Sequence, residues 1–365
     1  MSSETRRIRY AVIGAGNITQ VAVLPAFANA KENSQLVALI SGDAEKRRQL
    51  RQRYELELDG DYSELESLIE QGRVDAVYIA TPNTQHVELA VRAAAMGAHV
   101  LCEKPLAPSA SECRTILDAC AANGVWLMVA YRLHFEEASL KALDIARSGQ
   151  LGEPRLFSSF FSHVVREDDI RRDAKLAGGA TLDLGVYCIN AARHLFDAEP
   201  ELVLAHVIER EGTDDTVSAT LRFPGDRIAQ FCISNSVAGV SSYRIAGSKG
   251  DLRVEPAYEY VGELVHYLTL GEKTERKAFK KGDQFAPELK YFSDCILSGR
   301  EPEPSGEEGW CDVRVAEAIL ESARQQRPIP LEPYARPRKP SLAQADHERP
   351  VKKPKTVHAP SPSVK

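Results

Sequence analysis

The sequence predicts an α/β protein in which an N-terminal, doubly wound parallel sheet is followed by an α+β domain with a large, mostly antiparallel open sheet. Three observations carry this expectation. Through residue 130, short apolar runs alternate with helical stretches, the pattern of a parallel sheet covered on both faces. A glycine-rich turn joins the first run to the first helical stretch. After Tyr131, the runs instead follow one another across turn residues, as antiparallel strands do.

The early strands are Arg9–Ile13, Leu36–Ile40, Val74–Ala80, His99–Cys102 and Trp126–Ala130, all rich in Val, Ile, Leu and Ala. Between them, Ala44–Tyr54 reads as a charged helix, and Ser63–Ile69 puts Leu65, Leu68 and Ile69 on one face. Thr84–Met96 does the same with Val87, Ala90, Val91 and Ala94. Ser109–Ala122 does so with Cys113, Ile116, Leu117 and Cys120. A helix over Glu136–Ser148 stops at Gly149. Strands are then expected over Arg155–Ser162, Glu201–Glu209, Thr216–Phe223, Arg227–Ser234, Tyr243–Gly247 and Asp251–Glu255, with a turn at Phe223–Arg227. Helices are expected over Gly185–Phe196, Pro287–Ser298 and Gly309–Gln326.

With 365 residues and 43% hydrophobic content, the chain can bury two cores. The expected domains are 1–131 and 132–330, with 331–365 a Pro/Lys-rich tail that is extended or disordered, solvated and dispensable for activity. The net charge of −6 describes neither part. Eight Lys/Arg against three acids give the tail +5, so the other 330 residues carry −11. An acidic body excludes nucleic acid as the main ligand. No apolar run is long enough for a membrane span, and the N-terminus lacks the pattern of a secretory signal. Seven widely spaced cysteines argue for a reducing, cytoplasmic location and against disulfides. No His/Cys/Asp cluster has metal-ligand spacing, so no metal is expected.

In Arg9–Thr19, Gly14 and Gly16 fall between strand and helix, followed by Asn17 and Ile18. Gly14 permits the tight turn, and Gly16 lets the backbone approach a pyrophosphate at the helix start, as in Rossmann dinucleotide sites. Thr19 stands where the fingerprint has Gly or Ala. The second strand ends in Ser41-Gly42, followed by Asp43, Lys46, Arg47 and Arg48. The hydroxyl, the turn and the cations suit a 2′-phosphate and favour NADP, whereas Asp43 keeps NAD open through a bond to the 2′-hydroxyl. Glu103-Lys104-Pro105 ends a buried strand, facing the ligand crevice. Pro105 keeps Lys104 out of the helical region.

These motifs, with Ala80–His86, Ala177–Phe196 and Gly306–Arg324, resemble the glucose–fructose oxidoreductase / inositol dehydrogenase / rhizopine catabolism family (Gfo/Idh/MocA) over about residues 8–330. Tyr187, Ser41–Lys46 and Tyr131–Phe135 look like its glucose–fructose oxidoreductase and dimeric dihydrodiol dehydrogenase branch, although Ala180 replaces the last glycine of that branch's run. The resemblance implies hydride transfer between NADP and a sugar, with aldose C1 the favoured carbon. A trans-dihydrodiol or keto-sugar dehydrogenase/reductase and a non-catalytic dinucleotide sensor are the alternatives.

On this reading Tyr187 is the acid/base. A tyrosine, with a reference pKa of about 10, is a poor base alone, and a nearby cation lowers that value. The resemblance brings Lys104 to that role, with Asp183, four residues before Tyr187, as orienter. It also implies cofactor contacts from Thr81, Pro82, Asn83, His86, Glu103 and Arg132. Arg171, Arg172 and Lys175 precede Gly178-Gly179 and are candidates to close over the pyrophosphate, while Gln284, Glu288 and Tyr291 are candidates near the nicotinamide. Lys104, Arg132, Asp183 and Tyr187 are the candidate substrate contacts, with His134 a further one. His194 and Trp310 are expected to pack. A homodimer or homotetramer through the open sheet is expected, with Phe157, Phe231 and Ile233 as apolar residues compatible with it.

Overall fold

The computed structural model describes residues 6–363 and divides into two compact units. The first contains residues up to Arg132, Asp283–Trp310 and His347–Ser361. The second contains Leu133–Gly282, Cys311–Asp346 and the chain from Pro362.

In chain order, the first unit begins with β1 (Ile8–Ile13), a π-helical turn Thr19–Val23 continuing into α1 (Leu24–Ala26), and β2 (Ser34–Ile40). Then come α2 (Ala44–Tyr54), β3 (Leu58–Gly60), α3 (Leu65–Gly72), β4 (Ala76–Ile79) and α4 (His86–Ala95). After β5 (His99–Glu103), α5 (Ala110–Ala122) and β6 (Leu127–Ala130) complete the N-terminal part. All six strands are parallel, in the order β3-β2-β1-β4-β5-β6. This order reverses direction between β1 and β4, and ligands of doubly wound sheets bind outside the carboxyl ends at that switch point.

The second unit starts with α6 (Glu137–Arg147) and β7 (Pro154–Ser162). A second π-helical turn, Thr181–Gly185, leads into α7 (Val186–Leu195). β8 (Leu202–Arg210), β9 (Thr213–Phe223), β10 (Arg227–Ser234), β11 (Val240–Gly247), β12 (Gly250–Val254), β13 (Leu264–Leu270) and β14 (Lys273–Phe279) follow. After α8 (Ala286–Ser298) and α9 (Gly306–Gln325), β15 (Ile329–Pro330) closes a nine-stranded sheet. Its order is β14-β13-β12-β11-β7-β10-β9-β8-β15, antiparallel throughout except for the β7–β10 pair. One face carries Phe157, Val217, Leu221, Phe231, Ile233 and Ile245 into a core with Leu140, Leu143, Ile189 and Ile319. Each such side chain contributes about 1.5–3 kcal/mol by leaving water.

Four sequence expectations change. Phe157, Phe231 and Ile233 lie in that core, so they are not an outward apolar set. The outward phase is instead Leu156, Phe160, Leu204, Ile208 and Ile228, all exposed, with half-buried Cys232 in register with Phe160. Both phases of these strands are apolar, so alternation alone could not choose between them. Second, α8 belongs with the first unit. Ser293 Oγ meets Tyr10 OH at 2.9 Å and Ser34 Oγ at 2.7 Å, and Asn33 donates to Lys290 O and Asp294. Third, β13 and β14 extend the sheet beyond the predicted strands.

Fourth, the tail is extended but docked. The Arg336 side chain is buried, bonded to Glu199 at 2.8 Å and His194 at 2.6 Å, and Val357 and Ala359 are buried in the first unit. The seven cysteines are all free thiols. No helix of the described residues is long and apolar enough to cross a membrane.

Candidate active site

Gly14 ends β1 with φ of 100°, and its N–H donates to Ile40 O at 2.8 Å. A Cβ there would stand 2.3 Å from Ala80 O, at the carboxyl end of β4. The first glycine therefore allows β1 and β4 to approach where the sheet changes direction. Ala80 leads into Thr81, Pro82 and Asn83, all partly exposed. Across the loop, a Cβ on Gly16 would meet nothing within 4 Å. That open space, beside Asn17 and Ile18 and before the helical turn, is where Rossmann folds receive a phosphate group.

At the end of β2, Asp43 caps α2. Its Oδ1 accepts from the N–H groups of Glu45 and Lys46, both at 3.0 Å. Its Oδ2 lies 3.1 Å from His358 Nδ1 and 4.0 Å from Lys46 Nζ. The backbone bond from Lys46, then the bond with His358, hold this carboxyl below its usual range. Both oxygens thus have cationic or N–H partners, unlike an acid reserved for a ribose hydroxyl. Gly42 is exposed, whereas Ser41 is buried. Arg47 is committed within the fold to Ser41 O and to Asp59 and Asp61, so Lys46 is the cation with fewer ties here.

Glu103 accepts from Tyr78 OH at 2.9 Å. Burial raises its pKa, and the charge of Lys104, which follows it at the strand end, opposes that rise. The Lys104–Pro105 bond is cis. Arg132 is buried and donates to Gln284 Oε1, so two sequence candidates from distant segments meet. Glu288 is fully buried, and its pKa is raised well above the usual value by burial and then by Glu103. Two candidates serve the scaffold instead. His86 is fully buried, with Nδ1 3.0 Å from Pro105 O and Nε2 3.1 Å from Thr81 O. Its ring lies between two strand-end loops; desolvation lowers its pKa against the opposing carbonyls of Thr81, Pro105 and Leu106, and it has no exposed atom for a cofactor. Tyr291 accepts from Glu303 N–H at 3.3 Å and lies under Arg300, a packing position.

In the second unit, Gly179 (φ 134°) allows the close approach of Asp214, whose Oδ1 would be 2.0 Å from a Cβ. Asp214 in turn accepts from Thr181 N–H at the start of the π-helical turn. That turn holds Asp183, and Tyr187 follows in α7. Arg171 donates from Nε to Asp183 Oδ2 at 2.9 Å and from Nη1 to Asp169 Oδ1 at 3.0 Å. Burial works against the Arg171 charge, but the carboxylates of Asp183 and Asp169 outweigh it and raise its pKa. His163 Nε2 is 3.9 Å from Asp183. The Tyr187 ring packs on Phe161 at 5.5 Å and Tyr258 at 5.9 Å between centroids.

Arg171, expected to close over a pyrophosphate, is bonded to Asp183 and Asp169 in this structure. Arg172 is likewise spent on Asp215, Ser236 and the carbonyls of Val165 and Asn235. Lys175 is exposed. His134 is buried, bonded to Asn190 and edge-on to His194, so it packs rather than facing a ligand; Trp310 lies under Arg114. His163, Phe161 and Tyr258 were not among the sequence candidates. Their only signal was alternation along β7 and an isolated tyrosine. Among the described residues, no group of three or more His, Cys, Asp or Glu could hold a metal ion.

A glycine cradle at a Rossmann switch point and an acid–tyrosine turn define a nicotinamide-dependent oxidoreductase. Residues 8–131 match the family of oxidoreductases with an NAD-binding Rossmann fold, and residues 139–253 match that family's C-terminal domain. The chain belongs to the Gfo/Idh/MocA oxidoreductase family. It is 30% identical to a D-xylose 1-dehydrogenase (NADP+) of Haloarcula marismortui, over 89% of this chain and 93% of that one. It is 28% identical to the trans-1,2-dihydrobenzene-1,2-diol dehydrogenase of Mus musculus, over 87% and 96%. Among solved structures, an aldose–aldose oxidoreductase from Caulobacter crescentus, complexed with glycerol, superposes with a TM-score of 0.85 at 33% identity, covering 89% of this chain and all of that one.

Proposed function

We propose that the protein is an NADP-dependent sugar oxidoreductase acting at a carbinol or carbonyl carbon, with C1 of an aldose the first choice. The carrying observation is Tyr187, one turn from an Asp183 that Arg171 holds by a charged hydrogen bond. Bound NADP supplies a hydride acceptor at its nicotinamide C4. In the oxidative direction, Tyr187 takes the C1 hydroxyl proton as the hydride leaves C1, which yields the lactone and NADPH. Lys104 is a candidate substrate contact, and Asp183 orients a substrate hydroxyl.

The neutralised Asp43 and the cation Lys46 support NADP over NAD, as do the cofactor of the xylose dehydrogenase and the NADP bound in a 3-ketoreductase from Actinomadura kijaniata (27% identity, TM-score 0.81). The free thiols suit the cytoplasm. The exposed face of Leu156, Phe160, Leu204 and Ile208 suits association into a homodimer or homotetramer, to be checked by mass in solution.

The test is absorbance at the reduced-nicotinamide band with NADP and xylose, glucose or a dihydrodiol. Tyr187→Phe should lower kcat by about 10²–10⁴-fold with cofactor affinity kept. A Phe variant with wild-type turnover would remove Tyr187 from the chemistry. Turnover of a dihydrodiol alone, or of a keto-sugar with NADPH alone, would move the substrate class. No turnover despite bound cofactor would favour a dinucleotide sensor.

A further inference from the structure

Gln20, in the helical turn after the glycine loop, is wholly buried, and its amide is bonded on both sides. Nε2 donates to Ala15 O and to Val357 O, each at 2.9 Å, and Oε1 accepts from Val357 N–H at 2.7 Å. Nearby, Asn17 donates to Ala359 O at 2.9 Å. Arg53, in the last turn of α2, donates to Lys355 O at 2.8 Å. Between the two buried anchors Val357 and Ala359, His358 is exposed in the left-handed backbone region, at φ 44°. For a non-glycine residue this conformation has an energetic cost, and the anchors on either side hold it. It brings His358 to Asp43.

The C-terminal segment thus lies along the glycine loop and the end of β2, the two places where a dinucleotide's pyrophosphate and adenosine ribose bind in this fold. It does not fill the cradle, because the space beside Gly16 stays open. Lys46 Nζ and the His358 ring stand beside the Asp43 carboxylate, at 4.0 Å and 3.1 Å, where a phosphate monoester would meet the Lys46 ammonium and the imidazole edge. The neighbouring Lys352, Lys353 and Lys355 are exposed and add positive potential there.

Building on the NADP reading, we propose that residues 353–359 form a strap along the adenosine-phosphate end of the cofactor site, and that it slows release of bound NADP(H). His358 is its specificity-determining residue, facing the 2′-phosphate together with Lys46. Opening the strap would leave the buried Gln20 amide without its Val357 partners, so the latch is held closed where the chain itself is otherwise irregular.

The experiment loads the full-length chain with NADPH and follows release by fluorescence during a chase with excess NADP. A chain ending at Asp346 should release NADPH about tenfold faster or more, in line with the loss of several hydrogen bonds. His358→Ala should lower the preference for NADPH over NADH about threefold. An equal release rate from the shortened chain would overturn the strap. Slower release or tighter binding would also overturn it, because the segment would then compete with the cofactor. A second measurement uses the intact chain: hydrogen exchange at the Val357 amide should slow when NADPH binds, and an unchanged rate would overturn the proposal even if the shortened chain does not fold. If the full-length chain fails to bind NADPH, the cofactor reading falls and the strap falls with it.

Discussion

The cofactor cradle and the acid–tyrosine turn reach their geometry in different ways. The cradle depends on backbone: Gly14 fits because it has no Cβ, and a Cβ on Gly16 would meet nothing within 4 Å. The Asp183 turn is made of side-chain charge, with Arg171, itself paired to Asp169, holding the Asp183 carboxylate in place. Main-chain geometry fails abruptly when an atom is added. Side-chain electrostatics should fail in graded steps.

The sharpest way to break this contrast is Gly14→Ala. The added methyl meets backbone oxygen at 2.3 Å and imposes a strained φ, so dinucleotide affinity should fall by about a hundredfold or more, read by fluorescence titration. Ordinary binding in that variant would show that the cradle yields.

Next in size is a pH effect on scaffold histidines, one buried in each unit. Burial lowers the pKa of His86, and that of His266 to about 4. The unfolded chain takes up these protons near the ordinary value of about 6.5, before the folded chain does. Their stabilisation is therefore complete above that pH and is lost as pH falls below it, for His266 toward about 4. For His266 the loss approaches about 2–3 kcal/mol, and His266→Gln should flatten the slope of melting temperature against pH in this window.

Arg171→Ala should come third. Asp183 keeps its place in the chain but loses a charged hydrogen bond, and kcat should fall about tenfold with cofactor affinity unchanged. A loss of NADPH binding instead would restore Arg171 as a cofactor residue. Smallest is Lys46→Ala, for which NADPH affinity should drop about threefold and NADH affinity should hold, as expected for a partly exposed charge.

The first unit was legible in the sequence because its information is local. Each buried parallel strand is a run of Val, Ile, Leu and Ala, and the glycines sit beside the strand they end. What escaped depends on distant partners or weak periodicity. β3 is three residues long, and β14, Lys-Thr-Glu-Arg-Lys-Ala-Phe, is charged on both faces as an edge strand often is. The docking of α8 rests on hydroxyls of Tyr10 and Ser293, 283 positions apart. The docked tail uses main-chain groups at Val357 and Ala359, which leave no side-chain pattern to read. At the candidate active site, Asp183 and Tyr187 were visible as a motif. Their neighbours Arg171 and His163 were not visible in those positions, because charge pairing between loops has no period.

The half-buried Cys232 offers a use of its own. Six of the seven thiols are buried, and this one lies on the outer face of the nine-stranded sheet, in register with exposed Phe160. A thiol-reactive dye should modify the folded chain mainly there, at a rate set by how much of that face is open to solvent. One labelling time course across a dilution series would thus serve as a built-in gauge of self-association, with no mutation required.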